Sequence, residues 1–456
     1  MAGRIRDCGK NAIQYILNTA GYNYPKTASG RAGSSLLLGK GLVWAEGSQH
    51  ARQRKIMTPA FSFNTLRDFI PMFRYKSQKT VNKIKEQIES AETSDPNVVN
   101  MVPWLSRTTL DIIGAAAADY DFQAIEGGQS NKLTQAYSNL LADAFYKRSD
   151  IDIAVGYLMG KVPEFVFNLM KQLPTRSLKR MKRYMSVVMA VAQEVVDKQT
   201  ALYAHGKEGS KDLMSVLGTI FDITFFFAGH ETTSSSLVWA LYELSRHPEY
   251  QTKVREEIKA TRARVAERGD GEITISDLDS MQYLPALMKW LEPENFRQET
   301  IRFHPIVGGV IREAGRDDHI PLDIPIKLTT GEVVTSIEVE QGQQILLSFI
   351  NYNRLKSVWG EDADVWRPER FLEDHDHKQQ TRLGVLSNIA TFSSGIRSCI
   401  GVLEMQAILV ELVENFEFLP PPGDIEILRV SVGVMGPMVK GSKSGRTELP
   451  LTVKPL

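Results

Sequence analysis

The 456-residue sequence predicts a mainly α protein with a small β part. Three observations carry this. Apolar residues recur at three- and four-residue intervals through most of the first two thirds of the chain. From Pro305 onward, short β-prone runs alternate with glycines. No Pro/Gly/Ser-rich linker divides the sequence, so 1–456 reads as a single domain.

Near the N-terminus, Leu66, Phe69, Ile70 and Phe73, then Val81, Ile84 and Ile88, fall at helical spacing, with Asn64 placed as an N-cap. Leu105 to Ile113 continues the pattern, and 186–202 predicts a further long helix. Phe225 to Leu244 is strongly apolar but holds His230, Glu231, Glu243 and several hydroxyls. It therefore reads as a buried helix, since a membrane span needs ~18 uninterrupted apolar residues. The charged stretch 252–271 reads as a solvated helix face and a loop. Pro305 stops a helix. Beyond it, IPLDIPIKLTTGEVVTSIEVEQGQQILLSFI gives hairpin strands parted at Gly331 and Gly342. Residues 351–400 read as irregular, and a last helix runs from about 402 to 414, ahead of a PPPG turn and a β-like tail.

Charge and cysteine content exclude several functions. Lys plus Arg and Asp plus Glu are 54 each, which argues against nucleic-acid binding through bulk positive charge. With only two cysteines, Cys8 and Cys399, there is no disulfide framework and no zinc site of paired CxxC type.

The strongest local signal is Phe392-Ser-Ser-Gly395-Ile-Arg397-Ser-Cys399-Ile-Gly401. A lone cysteine comes after a Gly-containing loop and precedes an apolar helix, whose positive end favours a thiolate. Gly395 permits a tight turn, Gly401 removes a side chain where a flat group could approach, and Arg397 places a cation nearby. An isolated cysteine is more commonly inert and buried; here the whole ten-residue pattern argues otherwise. Ala228-Gly229-His230-Glu231-Thr232-Thr233 puts small residues, a carboxylate and a hydroxyl on one turn. The Thr232 hydroxyl can bond within the helix and open a notch, and Glu231 can relay protons. Read alone, the same residues also suit a buried helix facing its neighbours. Glu299-Thr-Ile-Arg302 is an i,i+3 pair that gains meaning from Arg367-Pro368-Glu369-Arg370-Phe371 downstream.

These motifs, in this order, resemble the cytochrome P-450 (haem-thiolate) family, and their spacing is similar to microsomal fungal members. The first matches the haem-ligand loop, the second the oxygen-activating helix, and the pair at 299 and 302 with 367–371 the ExxR and PERF elements. EGSQHARQRKIMTPAF (46–61) is similar to the WxxxR helix, with His50 at the Trp position and Arg54 at the Arg position.

The resemblance implies the mainly α cytochrome P-450 fold with a small β subdomain. It implies haem b as cofactor, with the Cys399 thiolate as axial iron ligand. Phe392, Gly395, Gly401, Ala228 and Gly229 would surround the haem, and Arg54, His50, Arg312 and Arg397 would neutralise its propionates. Glu231 and Thr232 would deliver protons to bound O2. The implied activity is monooxygenation of a small lipophilic substrate, with electrons from an NADPH-cytochrome reductase. The implied location is the membrane face of the endoplasmic reticulum. Residues 162–183, apolar and then basic, are expected to touch the bilayer.

The sequence also departs from the family pattern. It starts just ahead of the second family helix, so the anchor and first strands of the β region are expected to be missing. DLMSVLGTIFDITFFFAGHE joins two helices almost directly, Pro293 interrupts the approach to Glu299, and about four residues are missing between Gly401 and Glu404. Two alternatives therefore stay open: a non-catalytic isoform or remnant without a working haem pocket, and a haem-thiolate isomerase or dehydratase.

Overall fold

The computed structural model describes residues 9–57, 68–92, 95–127, 175–204, 213–269, 271–288, 299–372, 398–423, 425–431 and 433–456, with isolated positions between 128 and 174. Asn64, Leu66, Pro293, Phe392, Gly395, Arg397 and most of 162–174 lie outside these residues.

The long helices are α1 (Ala28–Leu37), α2 (Gly47–Met57), α3 (Ile70–Glu89), α4 (Met101–Ala118), α5 (Arg176–Ala204), α6 (Leu213–Arg246) and α7 (Pro248–Glu267). Three short helices come next, α8 (Ile275–Ser280), α9 (Tyr283–Met288) and α10 (Glu299–Phe303), and a long final one, α11 (Ser398–Asn415). The strands are β1 (Val98–Asn100), β2 (Gly309–Glu313), β3 (Asp318–Lys327), β4 (Val333–Val339), β5 (Gln344–Ser348), β6 (Phe416–Leu419), β7 (Ile427–Ser431), β8 (Met435–Val439) and β9 (Pro450–Pro455). All pairings are antiparallel. β1-β9-β6 form one sheet, and β2–β5, β3–β4 and β7–β8 form two-stranded pairs.

The predicted face of α3 is the buried one: Ile70, Phe73, Val81, Ile84 and Ile88 all enter the core. Pro71 sits in its first turn, where a missing N–H costs nothing. Asn100 caps α4 by accepting from the Val102 N–H at 3.3 Å. Gly114 lets the chain after α4 fold back, since a Cβ there would lie 2.4 Å from the Phe122 ring. Gly331, at φ +92°, turns the β3–β4 hairpin.

α6 is the centre of the molecule. It packs against α4, α5, α7, α10, α11, β6 and β8. From Thr233 to Leu241 every residue is buried, as befits a helix of apolar and small hydroxyl residues on all sides. The main core joins Leu237, Leu241 and Leu244 of α6 to α3, α4, α7 and α11. A second cluster gathers Leu110, Ile113, Val188, Phe226, Trp239, Ile306, Val434 and Met435.

α10 holds a fully buried ion pair. Glu299 and Arg302 have no solvent exposure and meet bidentately at 2.7 Å. Arg302 also donates to the carbonyls of Asn353, Ala363 and Val365. Glu299 accepts from the Arg367 N–H at 2.9 Å, and Arg370 Nε approaches it at 3.6 Å. Arg302→Ala would remove the bidentate partner of a fully buried carboxylate, leaving it the Arg367 N–H and the more distant Arg370. The expected loss is roughly 3–5 kcal/mol in urea denaturation; a loss below about 1 kcal/mol, the range of exposed pairs, would contradict the assigned role.

Candidate active site

The turn of α6 around residue 230 is unusual in its hydrogen bonding. Thr232 Oγ1 donates to the Ala228 carbonyl at 2.7 Å, and Thr233 Oγ1 to the Gly229 carbonyl at 2.8 Å. Thr109 Oγ1, from α4, lies 3.1 Å from the His230 carbonyl and 2.9 Å from the Leu105 carbonyl of its own helix, and its one proton serves either. Two consecutive carbonyls of one turn thus each receive a hydroxyl, with Thr109 within reach of the third, which loosens their hold on the helical ladder. Thr109 carries no motif and shows no signal in the sequence; only the packing of α4 on α6 reveals it.

His230 itself is fully buried. Its Nδ1–H donates to the Phe226 carbonyl at 2.6 Å, and burial lowers its pKa to about 4, so the ring is neutral. Glu231 is half-buried, and desolvation raises its carboxyl from 4.5 to about 7. The smallness of Gly229 serves helix packing: a Cβ there would approach Ile113 Cγ1 on α4 to 2.9 Å. Ala228 and Thr232 are half-buried.

A second group of sequence-selected residues meets around the segment 22–26. Tyr22 Oη lies 3.3 Å from His50 Nδ1 on α2, with the rings edge to face at 6.1 Å. Lys26 bridges to Arg312 on β2 through the backbone, and the Glu313 N–H donates to the Pro25 carbonyl at 3.0 Å. Lys26 Nζ lies 3.3 Å from Glu46, immediately before α2, and donates to the Ala45 carbonyl at 2.7 Å. The segment therefore ties the helix carrying His50 and Arg54 to the strand carrying Arg312. Arg54 is exposed. Arg312 is half-buried; among the described residues it touches no carboxylate and donates only to the adjacent Ile311 carbonyl, at 3.2 Å. Burial lowers its pKa, with Glu46 partly opposing.

Cys399 is the second residue of α11 rather than lying ahead of it, because that helix starts at Ser398, four residues before the predicted start near 402. Its backbone, and that of Gly401, belong to the first turn, whose N–H groups lack intrahelical acceptors. The side chains at 398–402 lie outside the described residues. One turn further on, Glu404 is buried without a hydrogen-bond partner for Oε1, and its pKa is pushed well up by desolvation.

The sequence matches the Cytochrome P450 family model over residues 7–437. It is 32% identical to cytochrome P450 monooxygenase 205 of Postia placenta, over 97% of this chain and 82% of the relative. It is 28% identical to cytochrome P450 monooxygenase claW of Ampulloclitocybe clavipes, over 92% and 78%. It is 31% identical to the ganoderic acid synthetase CYP5150L8 of Ganoderma lucidum, over 87% and 75%. With a helical scaffold, small antiparallel sheets and a family match spanning nearly its whole length, the chain belongs to the cytochrome P450 family.

Proposed function

We propose that this cytochrome P450 monooxygenase inserts one atom of O2 into a lipophilic organic substrate, with electrons delivered by an NADPH-cytochrome reductase. The observation that carries the reading is the turn 228–232. There a hydroxyl and a carboxyl of raised pKa lie side by side on a helix whose carbonyls are already occupied.

The residues fit haem b. Arg312 is a partly desolvated cation with no carboxylate in contact among the described residues, as suits a group that would meet a propionate. His50 and Arg54 sit one turn apart on α2, on the element that residues 22–26 tie to Arg312. Cys399 belongs by its backbone to the first turn of an 18-residue helix, and the positive end of a helix favours a thiolate. When bound, the haem iron with its thiolate ligand supplies the oxygen chemistry.

The chain's own residues do the rest. Glu231, at about 7, gives up or takes a proton near neutral pH. Thr232, its neighbour, orients a proton donor through a hydroxyl that can leave the Ala228 carbonyl. The stretch 304–311, apolar in most of its residues, would line the pocket by family resemblance and suits a lipophilic substrate. Among the described residues no helix is long and apolar enough to cross a membrane. The apolar and basic composition of 162–183 supports work at the face of the endoplasmic reticulum membrane.

Thr232→Ala is expected to retain cofactor and reducible iron while uncoupling NADPH consumption from product, with hydrogen peroxide released instead. A ratio of product to NADPH equal to the parent's would contradict the role of the hydroxyl.

Glu231 gives a separate test. Its pKa of about 7 in the fold lies above the ordinary 4.5, so its protonated form contributes stability complete below 4.5 and lost as pH rises through about 7. Glu231→Gln is neutral at every pH. Its stability relative to the parent should rise across that window by up to about 1.4 kcal/mol per pH unit. A difference that stays flat with pH would show that Glu231 is not desolvated.

A further inference from the structure

One side of α6 changes character along its length. Ala228, Thr232, Ser235, Trp239 and Glu243 recur at four- and three-residue intervals and so share a stripe of the helix. At Ala228 and Thr232 the stripe is half-exposed, although α6 is the centre of the molecule. At Ser235, Trp239 and Glu243 it is buried. Trp239 lies seven residues beyond Thr232, about 10 Å along the axis. Whatever covers Trp239 therefore marks where the open stretch ends.

The cover is a closed ring of contacts. Glu243 has no solvent exposure and accepts from His304 Nε2–H at 2.6 Å. The His304 ring stacks on Trp239, with centroids 4.2 Å apart and planes within 11°. Trp239 Nε1–H donates to the Met435 carbonyl at 2.8 Å, and the Met435 N–H donates to the Ile306 carbonyl at 2.8 Å. Ile306 stands two residues after His304, so the path returns to its start. Burial lowers the His304 pKa to about 4, so the ring is neutral, and Glu243 holds its one proton on Nε2.

The ring closes on an unusual partner. Met435 opens β8, directly after the turn of the β7–β8 hairpin. With Val434 it is buried, where a turn ordinarily faces water. Apolar burial has no direction and would let the hairpin slide along α6. The two hydrogen bonds of the Met435 backbone are directional and fix its height.

We propose that Glu243, His304 and Trp239 are positioning residues that hold Ile306 and the turn of the β7–β8 hairpin at the end of the open stretch, and so set how bulky a substrate the haem pocket accepts. The inference rests on the monooxygenase reading above for the haem beside Thr232.

Trp239→Phe keeps a ring for His304 and removes the N–H that holds Met435. His304→Gln keeps a donor for Glu243 and removes the stack; it serves if the first variant is unstable. The full, haem-loaded chain is titrated with imidazole, which is small, and with clotrimazole, whose aryl rings must fit beside the iron, both read by the Soret shift. Hydrogen exchange of the 435–439 amides is followed in the same proteins. The expected result is faster exchange and a clotrimazole dissociation constant raised about tenfold, with that of imidazole within about twofold of the parent's. A clotrimazole constant equal to the parent's would overturn the proposal even if exchange quickens, since the ring would then serve the fold alone. A parent that gives no Soret shift with imidazole contradicts the haem reading itself, and the proposal falls with it.

Discussion

Arg302 has no access to water, and its charge must be met inside the protein. That requirement organises much of the structure. Glu299 supplies the counter-charge, and the carbonyls of Asn353, Ala363 and Val365 take the remaining donors. The chain from 353 to 370 is thereby drawn onto α10. The next residues inherit the position: Phe303 stacks with Arg354, and His304 lies on Trp239 at 4.2 Å and binds Glu243, both on α6. β2 begins six residues after α10 ends, so the placement of Arg312 also depends on the pair at 299 and 302. One buried ion pair thus relates α6 to the strand that carries Arg312. Such a pair is poor evidence of net stability but strong evidence of registration, because every competing arrangement leaves a charge unmet.

The chemistry on α6 depends on the same burial. In that turn the hydroxyls of Thr232 and Thr233 bond carbonyls of their own helix, and Thr109 of α4 comes within 3.1 Å of a third. Desolvation raises the Glu231 carboxyl to about 7 and keeps His230 neutral. The turn therefore carries a carboxyl of raised pKa beside a neutral imidazole. Glu404, similarly desolvated on α11, shows that a raised pKa alone does not mark a catalytic group. Two features distinguish Glu231: its neighbour Thr232, and its position on the turn with occupied carbonyls.

Much of the fold is legible in the sequence. Helical periodicity locates α3, α4 and α5, because their apolar faces look inward to a common core. The short motifs locate the turn at 228–233 and the pair at 299 and 302. The features that escape the sequence arise from contacts distant along the chain. Thr109 reaches the His230 carbonyl across 121 positions, and Tyr22 finds His50 across a separation of 28. Gly229 reads as making room for a cofactor, and the close approach of Ile113 on α4 to its backbone is a further constraint that the sequence does not show. The early start of α11 is hidden because Ser398 to Gly401 has no apolar period of its own and is helical by continuity with the apolar turns from 402 onward.

The central claim is that Cys399 holds haem iron as a thiolate. The most direct measurement is the carbon-monoxide difference spectrum of the reduced, haem-loaded protein, compared with Cys399→Ala and Cys8→Ala. The account predicts the red-shifted thiolate band that gives the family its name in the parent and in Cys8→Ala, and its loss in Cys399→Ala. A haem-loaded parent without that band, or a Cys399→Ala variant that keeps it, would contradict the account.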